Sequence, residues 1–144
     1  PDMRRKQPII IIGVIGNDIH VIANRILHIC LVEAGMQVIN LGVNNMPQDF
    51  ADAALEVGAD AVLIGSLNGE ALHWCREIRP LFTVRGIHDT LVYIGGNLVT
   101  GSLAEQEVMS MFSGLGIDRV YHGTVDFDSM IATLRKDIDG RPVS

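Results

Sequence analysis

Short apolar runs alternate along this chain with longer stretches in which apolar positions recur every three or four residues. The short runs are IIIIGVI at 9–15, QVINL at 37–41, DAVLIG at 60–65, LVYIG at 91–95 and RVY at 119–121. Most are nearly unbroken, the pattern of strands buried on both faces of a parallel sheet rather than strands with one wet side. The longer stretches predict helices at 20–34, 47–57, 69–82, 103–114 and 126–138. Gly35 and Gly58 stand where the first two helices should stop, and Pro47 opens the second, where a missing N–H costs nothing. Pro80 predicts that the third helix ends close by.

Strict β–α alternation without an internal repeat predicts one doubly wound, flavodoxin-like α/β domain. Its five parallel strands are expected in the order 2-1-3-4-5. The domain is expected to occupy residues 9–139, between a flexible tail at 1–8 and a short tail at 140–144. Composition agrees: 144 residues, 48% hydrophobic and 19% charged, describe a compact chain with a real core. A formal net charge of −6 argues against nucleic acid or an anionic membrane as main partner. No apolar run approaches the roughly 20 residues of a membrane helix. Arg4-Arg5-Lys6 precedes a strand-like run rather than a signal-peptide pattern. Cys30 and Cys75 lack C-x-x-C spacing and read as two buried thiols, which points to a cytoplasmic protein.

In open α/β sheets, ligands bind beyond the carboxyl ends of the strands. All five loops expected on that rim carry glycine: GNDIH, GVNNM, GSLNG, GGNLVTG and HGT. Glycines gathered there mean tight turns, or backbone brought close to a large flat ligand. The first loop also carries Asp18-x-His20. Imidazole is a good transition-metal ligand, and its second nitrogen usually donates to a carboxylate. One histidine is too little for structural zinc, which wants four ligands, but enough for a metal already held by a macrocycle. The competing reading is a plain Asp N-cap with an incidental histidine. Other chemistries fit less well. GVIGND lacks the G-x-G-x-x-G spacing of a dinucleotide site, and no Gly-Lys-Ser/Thr of a P-loop follows. A phosphoacceptor receiver would want clustered acids at the strand ends and a lysine after the last strand, where the chain reads VYHGT.

Taken together, these loops resemble the cobalamin-binding domain family of adenosylcobalamin mutases and corrinoid methyltransferases, whose pattern is D-x-H-x-x-G, S-x-L and G-G. Asp18-Ile19-His20 matches the first element, with Ala23 at the glycine; Gly65-Ser66-Leu67 stands at the second; Gly95-Gly96 follows at the expected interval. The segments GVIGNDIH, AGMQVINLGV, GGNLVTG and GIDRVY further resemble the small subunits of glutamate (methylaspartate) mutases, over nearly the whole chain. The resemblance implies that His20 binds cobalt from below in place of the cofactor's dimethylbenzimidazole, with Asp18 hydrogen-bonding the far nitrogen. It implies a slot between the first helix and the sheet for the displaced nucleotide tail, lined by Leu67 and the backbone of Gly95 and Gly96. Asn97 and Thr124, on neighbouring rim loops, are expected to contact corrin or tail. Two departures fall on this slot: Ala23 adds a methyl, and Gly65 replaces a serine that contacts the benzimidazole, with Ser66 as a neighbouring substitute. A neutral hydrogen bond lost there weakens binding by about 1 kcal/mol. His28, His73, Trp74 and His88 read as surface or packing residues, and His122 as a weaker candidate on the rim.

The implied cofactor is adenosylcobalamin. The implied function is to present it to a separate, larger catalytic subunit of TIM-barrel fold that rearranges glutamate to 3-methylaspartate, with no catalytic residue in this chain alone. Two alternatives remain at this point: a corrinoid carrier serving a methyltransferase or another mutase, and a domain that has lost cobalamin.

Overall fold

The computed structural model describes residues 7–15, 21–66, 71–96, 107, 110, 112, 114–122 and 125–141. Five strands, β1 (Ile9–Val14), β2 (Gln37–Asn40), β3 (Ala61–Gly65), β4 (Leu91–Gly96) and β5 (Arg119–His122), form one parallel sheet in the order β2-β1-β3-β4-β5. Every strand end falls within one residue of its expected place. Four helices cover the faces: α1 (Val21–Glu33), α2 (Pro47–Val57), α3 (Ala71–Val84) and α4 (Phe127–Asp139). Residues 107, 110 and 112 are also helical, within the segment expected at 103–114, most of which lies outside the described residues.

Alternation along each strand divides the core into two layers. Ile11, Ile15, Val62, Ile64, Val92 and Ile94 face α2 and α3, where Phe50, Ile78 and Phe82 complete the packing. Ile10, Ile12, Leu63 and Tyr93 face the other way, onto Leu31 of α1 and Met130, Ile131 and Leu134 of α4. Both faces are therefore buried, which is why the strands read as continuous apolar runs. Gly13 has no room for a side chain, since a Cβ there would stand 3.0 Å from the Phe50 ring. The helix ends follow local chemistry. The Asp49 carboxylate accepts from the Met46 N–H at the start of α2, and Gly58 closes that helix with φ +63°. Asp126 caps α4 by accepting from the N–H groups of Asp128 and Ser129.

Pro80 does not end the third helix; α3 continues to Val84. The proline is exposed, while Ile78 before it and Phe82 after it are fully buried, so packing on both sides carries the helix through the lost hydrogen bond. Arg79 adds an anchor. Its guanidinium donates to the carbonyls of Gly116 and Thr90 and pairs with Asp118 at 3.1 Å. Beyond α4, Arg141 donates to the Asp60 carboxylate at 2.6 Å and to the Asp89 carbonyl. Among the described residues no helix is long and apolar enough to cross a membrane.

Candidate functional site

Strand register builds the site. Two rows of residues cross the sheet side by side on its α1/α4 face. The deeper row is Ile12, Leu63, Tyr93 and Arg119; the row nearer the carboxyl rim is Val14, Gly65, Gly95 and Tyr121. Large side chains fill the first row. In the second, two adjacent positions have no side chain, so bare peptide groups form a flat floor two strands wide. A cleft of about 270 Å³ opens there. Its roof is Ala23, Asn24 and Leu27 from α1 and Phe127 and Met130 from α4, with Val125 beside them. Ser66 and Gly96 line its rim. The floor is held by main chain, for the Ile15 N–H donates to the Gly65 carbonyl and the Ser66 N–H to the Gly95 carbonyl, both at 3.0 Å.

The cleft walls are almost wholly apolar, which suits a flat ligand that gives up its water. The structure thus brings together Ala23, Gly65, Ser66, Gly95 and Gly96 of the expected site residues. Asp18, Ile19, His20, Leu67, Asn97 and Thr124 lie outside the described residues. The two departures have different consequences. Ala23 stands on the cleft wall. A Cβ at Gly65 would meet Val14 at 3.7 Å and the Gly13 carbonyl at 3.8 Å, ordinary contacts, so the glycine leaves space that a serine would occupy.

Residues 8–120 match the family model described as "B12 binding domain". The chain belongs to the B12-binding domain family. Within it, the chain groups with glutamate mutase sigma subunits. It is 41% identical over 133 residues to the one from Carboxydothermus hydrogenoformans, across 92% of this chain and 97% of the relative. It is 38% identical over 130 residues to that of Clostridium cochlearium, across 90% and 95%. Among solved structures, a cobalamin-binding protein from Desulfitobacterium hafniense superposes with a TM-score of 0.74 at 20% identity, over 92% of this chain and 60% of that one. The receiver domain of the putative response regulator NarL from Mycobacterium tuberculosis superposes with a TM-score of 0.66 at 12% identity, over 95% and 100%. These two likenesses show the shared fold.

Two polar networks border the cleft of this B12-binding domain, and neither was evident in the sequence. On the α4 side, the Tyr93 hydroxyl donates to the Asp137 carboxylate, which Arg119 also grips, at 2.7 and 2.9 Å. The Arg119 hydrogen bonds hold the Asp137 carboxyl below its ordinary range against the opposing effect of burial, with Tyr93 helping. Burial and the neighbouring carboxylate push the Tyr93 hydroxyl up, so it stays a proton donor. On the α1 side, the Asn40 amide of β2 donates to the Asn24 Oδ1 at 2.5 Å and lies 3.1 Å from the His28 Nδ1. An asparagine in the stretch VIANRIL, where Arg25 is the other polar residue, was the available signal for Asn24. His28 is half-buried on α1, His73 packs edge-on against Trp74 on α3, and none of these three lines the cleft. The His122 backbone pairs with Gly96 at the rim. Among the described residues no group of three His, Cys, Asp or Glu side chains forms a metal site. What the described cleft offers is shape and desolvation.

Proposed function

We propose that the chain is the cobalamin-binding subunit of an adenosylcobalamin-dependent mutase of the glutamate to 3-methylaspartate type. The observation that carries this reading is the side-chain-free row Gly65–Gly95 under an apolar roof, inside a chain that aligns over 92% of its length with a glutamate mutase sigma subunit. The cleft passes a test of fit. A planar heterocycle needs two parallel apolar surfaces, and here peptide groups lie below while Leu27, Phe127 and Met130 lie above. Side chains at both glycines would fill that space.

The chain's own residues then divide the work. His20 would hold the cobalt, and Asp18 would be the carboxylate that fixes the tautomer of His20 and raises its basicity. Ile19, Asn97 and Thr124 would contact the corrin or its tail, and Leu67 would line the tail slot. Ala23, Gly65, Ser66, Gly95 and Gly96 shape the slot that takes the nucleotide tail away from the metal. When bound, adenosylcobalamin supplies the homolytic cobalt–carbon chemistry that hydrogen abstraction from an unactivated carbon requires. Substrate binding and water exclusion above the ring are assigned to a larger, TIM-barrel catalytic subunit, so isomerase activity belongs to the assembly. The sigma-subunit names of the relatives support such an assembly. A cytoplasmic setting is supported by Cys30 and Cys75, both free thiols.

The test is a titration of the chain with hydroxocobalamin. Coordination by His20 shifts the corrin absorption bands, and His20→Ala abolishes the shift while the apo melting temperature stays put. An unchanged spectrum with the unmodified chain refutes the assignment. Supplying the catalytic subunit of a glutamate mutase, adenosylcobalamin and glutamate should then yield 3-methylaspartate; binding without turnover would redirect the reading to a corrinoid carrier.

A further inference from the structure

The roof of the cleft contains one polar side chain whose orientation can be worked out from its neighbours. Asn40 sits at the end of β2, and its Oδ1 accepts from the Gly42 backbone N–H at 2.9 Å. A backbone N–H is only ever a donor, so that contact fixes which end of the Asn40 amide is oxygen. Its Nδ2 must then face α1, where it donates to the Asn24 Oδ1 at 2.5 Å. This in turn fixes Asn24. With its oxygen committed to Asn40, the Asn24 Nδ2 is the group left over, and it has no partner among the described residues. Asn24 is 8% exposed and lines the cleft. An amide donor on the wall of an otherwise apolar cleft is the kind of polar group that fixes a ligand's orientation.

We infer that the Asn24 amide nitrogen is a specificity-determining donor that binds a hydrogen-bond acceptor on the nucleotide tail of the corrinoid. The inference rests on the functional reading above and deepens it. A tail held by apolar walls alone could turn or slide along the glycine floor, since such contacts have no direction. One donor, aimed by a relay that ends on a backbone N–H, fixes the tail in a single setting and rejects corrinoids without a matching acceptor. The acceptor chemistry is shared by the imine nitrogen of the base and the oxygens of the ribose phosphate. Asn40 is a positioning residue in this scheme, touching Asn24 and not the ligand.

The experiment uses the full chain and three corrinoids: hydroxocobalamin, diaquacobinamide, which lacks the tail, and cobinamide phosphate, which lacks the base and ribose. Asn24→Asp keeps the oxygen that Asn40 needs and removes the donor. The expected result is a loss of about tenfold in cobalamin affinity, the effect of one hydrogen bond in a buried setting, with cobinamide affinity unchanged. Asn24→Leu, which removes oxygen and donor together, should show the same selective loss, so either variant serves if the other fails to fold by its apo melting temperature. A matching loss with cobinamide phosphate assigns the acceptor to the phosphate; a loss with cobalamin alone assigns it to the base or ribose. Equal losses for cobalamin and cobinamide, or no loss for either, overturn the inference while leaving the assignment as a cobalamin subunit standing. Failure of the unmodified chain to bind any of the three overturns both.

Discussion

Gly95 and Gly96 are adjacent, yet the structure predicts that alanine at each does different damage. At Gly96 the backbone has φ +116°, a region that L side chains rarely adopt. Holding alanine there costs about 1–3 kcal/mol, or a fall in melting temperature of about 3–10 °C for a chain of this size. At Gly95 no such constraint applies. A Cβ would stand 3.4 Å from the Tyr121 carbonyl and 3.7 Å from its Cβ, ordinary van der Waals contacts, so Gly95→Ala should melt within about 2 °C of the unmodified chain. Its methyl instead projects from the floor of the cleft. Wedging one extra methyl into a packed space costs about 1–3 kcal/mol, which for a ligand seated on that floor is roughly a five- to 150-fold loss in affinity. The paired assay is differential scanning fluorimetry of the apo chains, followed by hydroxocobalamin titration at 25 °C. Gly95→Ala should bind poorly and melt normally; Gly96→Ala should melt early. If Gly95→Ala binds cobalamin with unchanged affinity, the glycine row is not the seat of the tail.

Two further predictions concern titratable groups. Arg119 and Tyr93 hold the Asp137 carboxyl below its unfolded value, so its contribution to stability is complete above the ordinary aspartate range and is lost as pH falls through the lowered folded value. Acid melts should therefore show the unmodified chain losing its advantage over Asp137→Asn, about 1–2 kcal/mol at pH 7, progressively below about pH 4; a constant gap down to pH 2 would contradict the pairing. Burial pushes the Cys75 thiol up to about 12, whereas Cys30 is only half-buried. Iodoacetamide at pH 8 should label Cys30 first, with Cys75 reacting only on unfolding; equal rates in the native chain, read by peptide mass spectrometry, would refute this.

The layout of the sheet was legible because its physics is local. Ile10 to Ile15 and Ala61 to Ile64 are buried on both faces, and that condition writes itself into the sequence as a nearly unbroken apolar run. Pro80 left the expected end of α3 two residues short, at 82 rather than Val84, because a proline reports a broken hydrogen bond but not the buried Ile78 and Phe82 that hold the helix around it. The glycines of the rim were visible as a motif, but their meaning was not. That Gly65 and Gly95 form one row follows only from strand register, which single-sequence patterns leave open. Nothing in the sequence marks Tyr93, Phe127 and Met130 as cleft wall, because a slot beside a core is lined by the same residue types as the core. The Asn24–Asn40 relay joins α1 to β2, and no spacing rule connects those positions.

A seat made of main chain can be altered in one direction only. Any substitution at 65 or 95 adds atoms, so drift at the floor can shrink the space but never enlarge it. If the corrinoid base sits on this floor, chains of this kind that come to accept a bulkier one must find the room overhead, through smaller residues at Leu27, Phe127 or Met130. The strands would stay fixed while the two covering helices record the history of ligand choice.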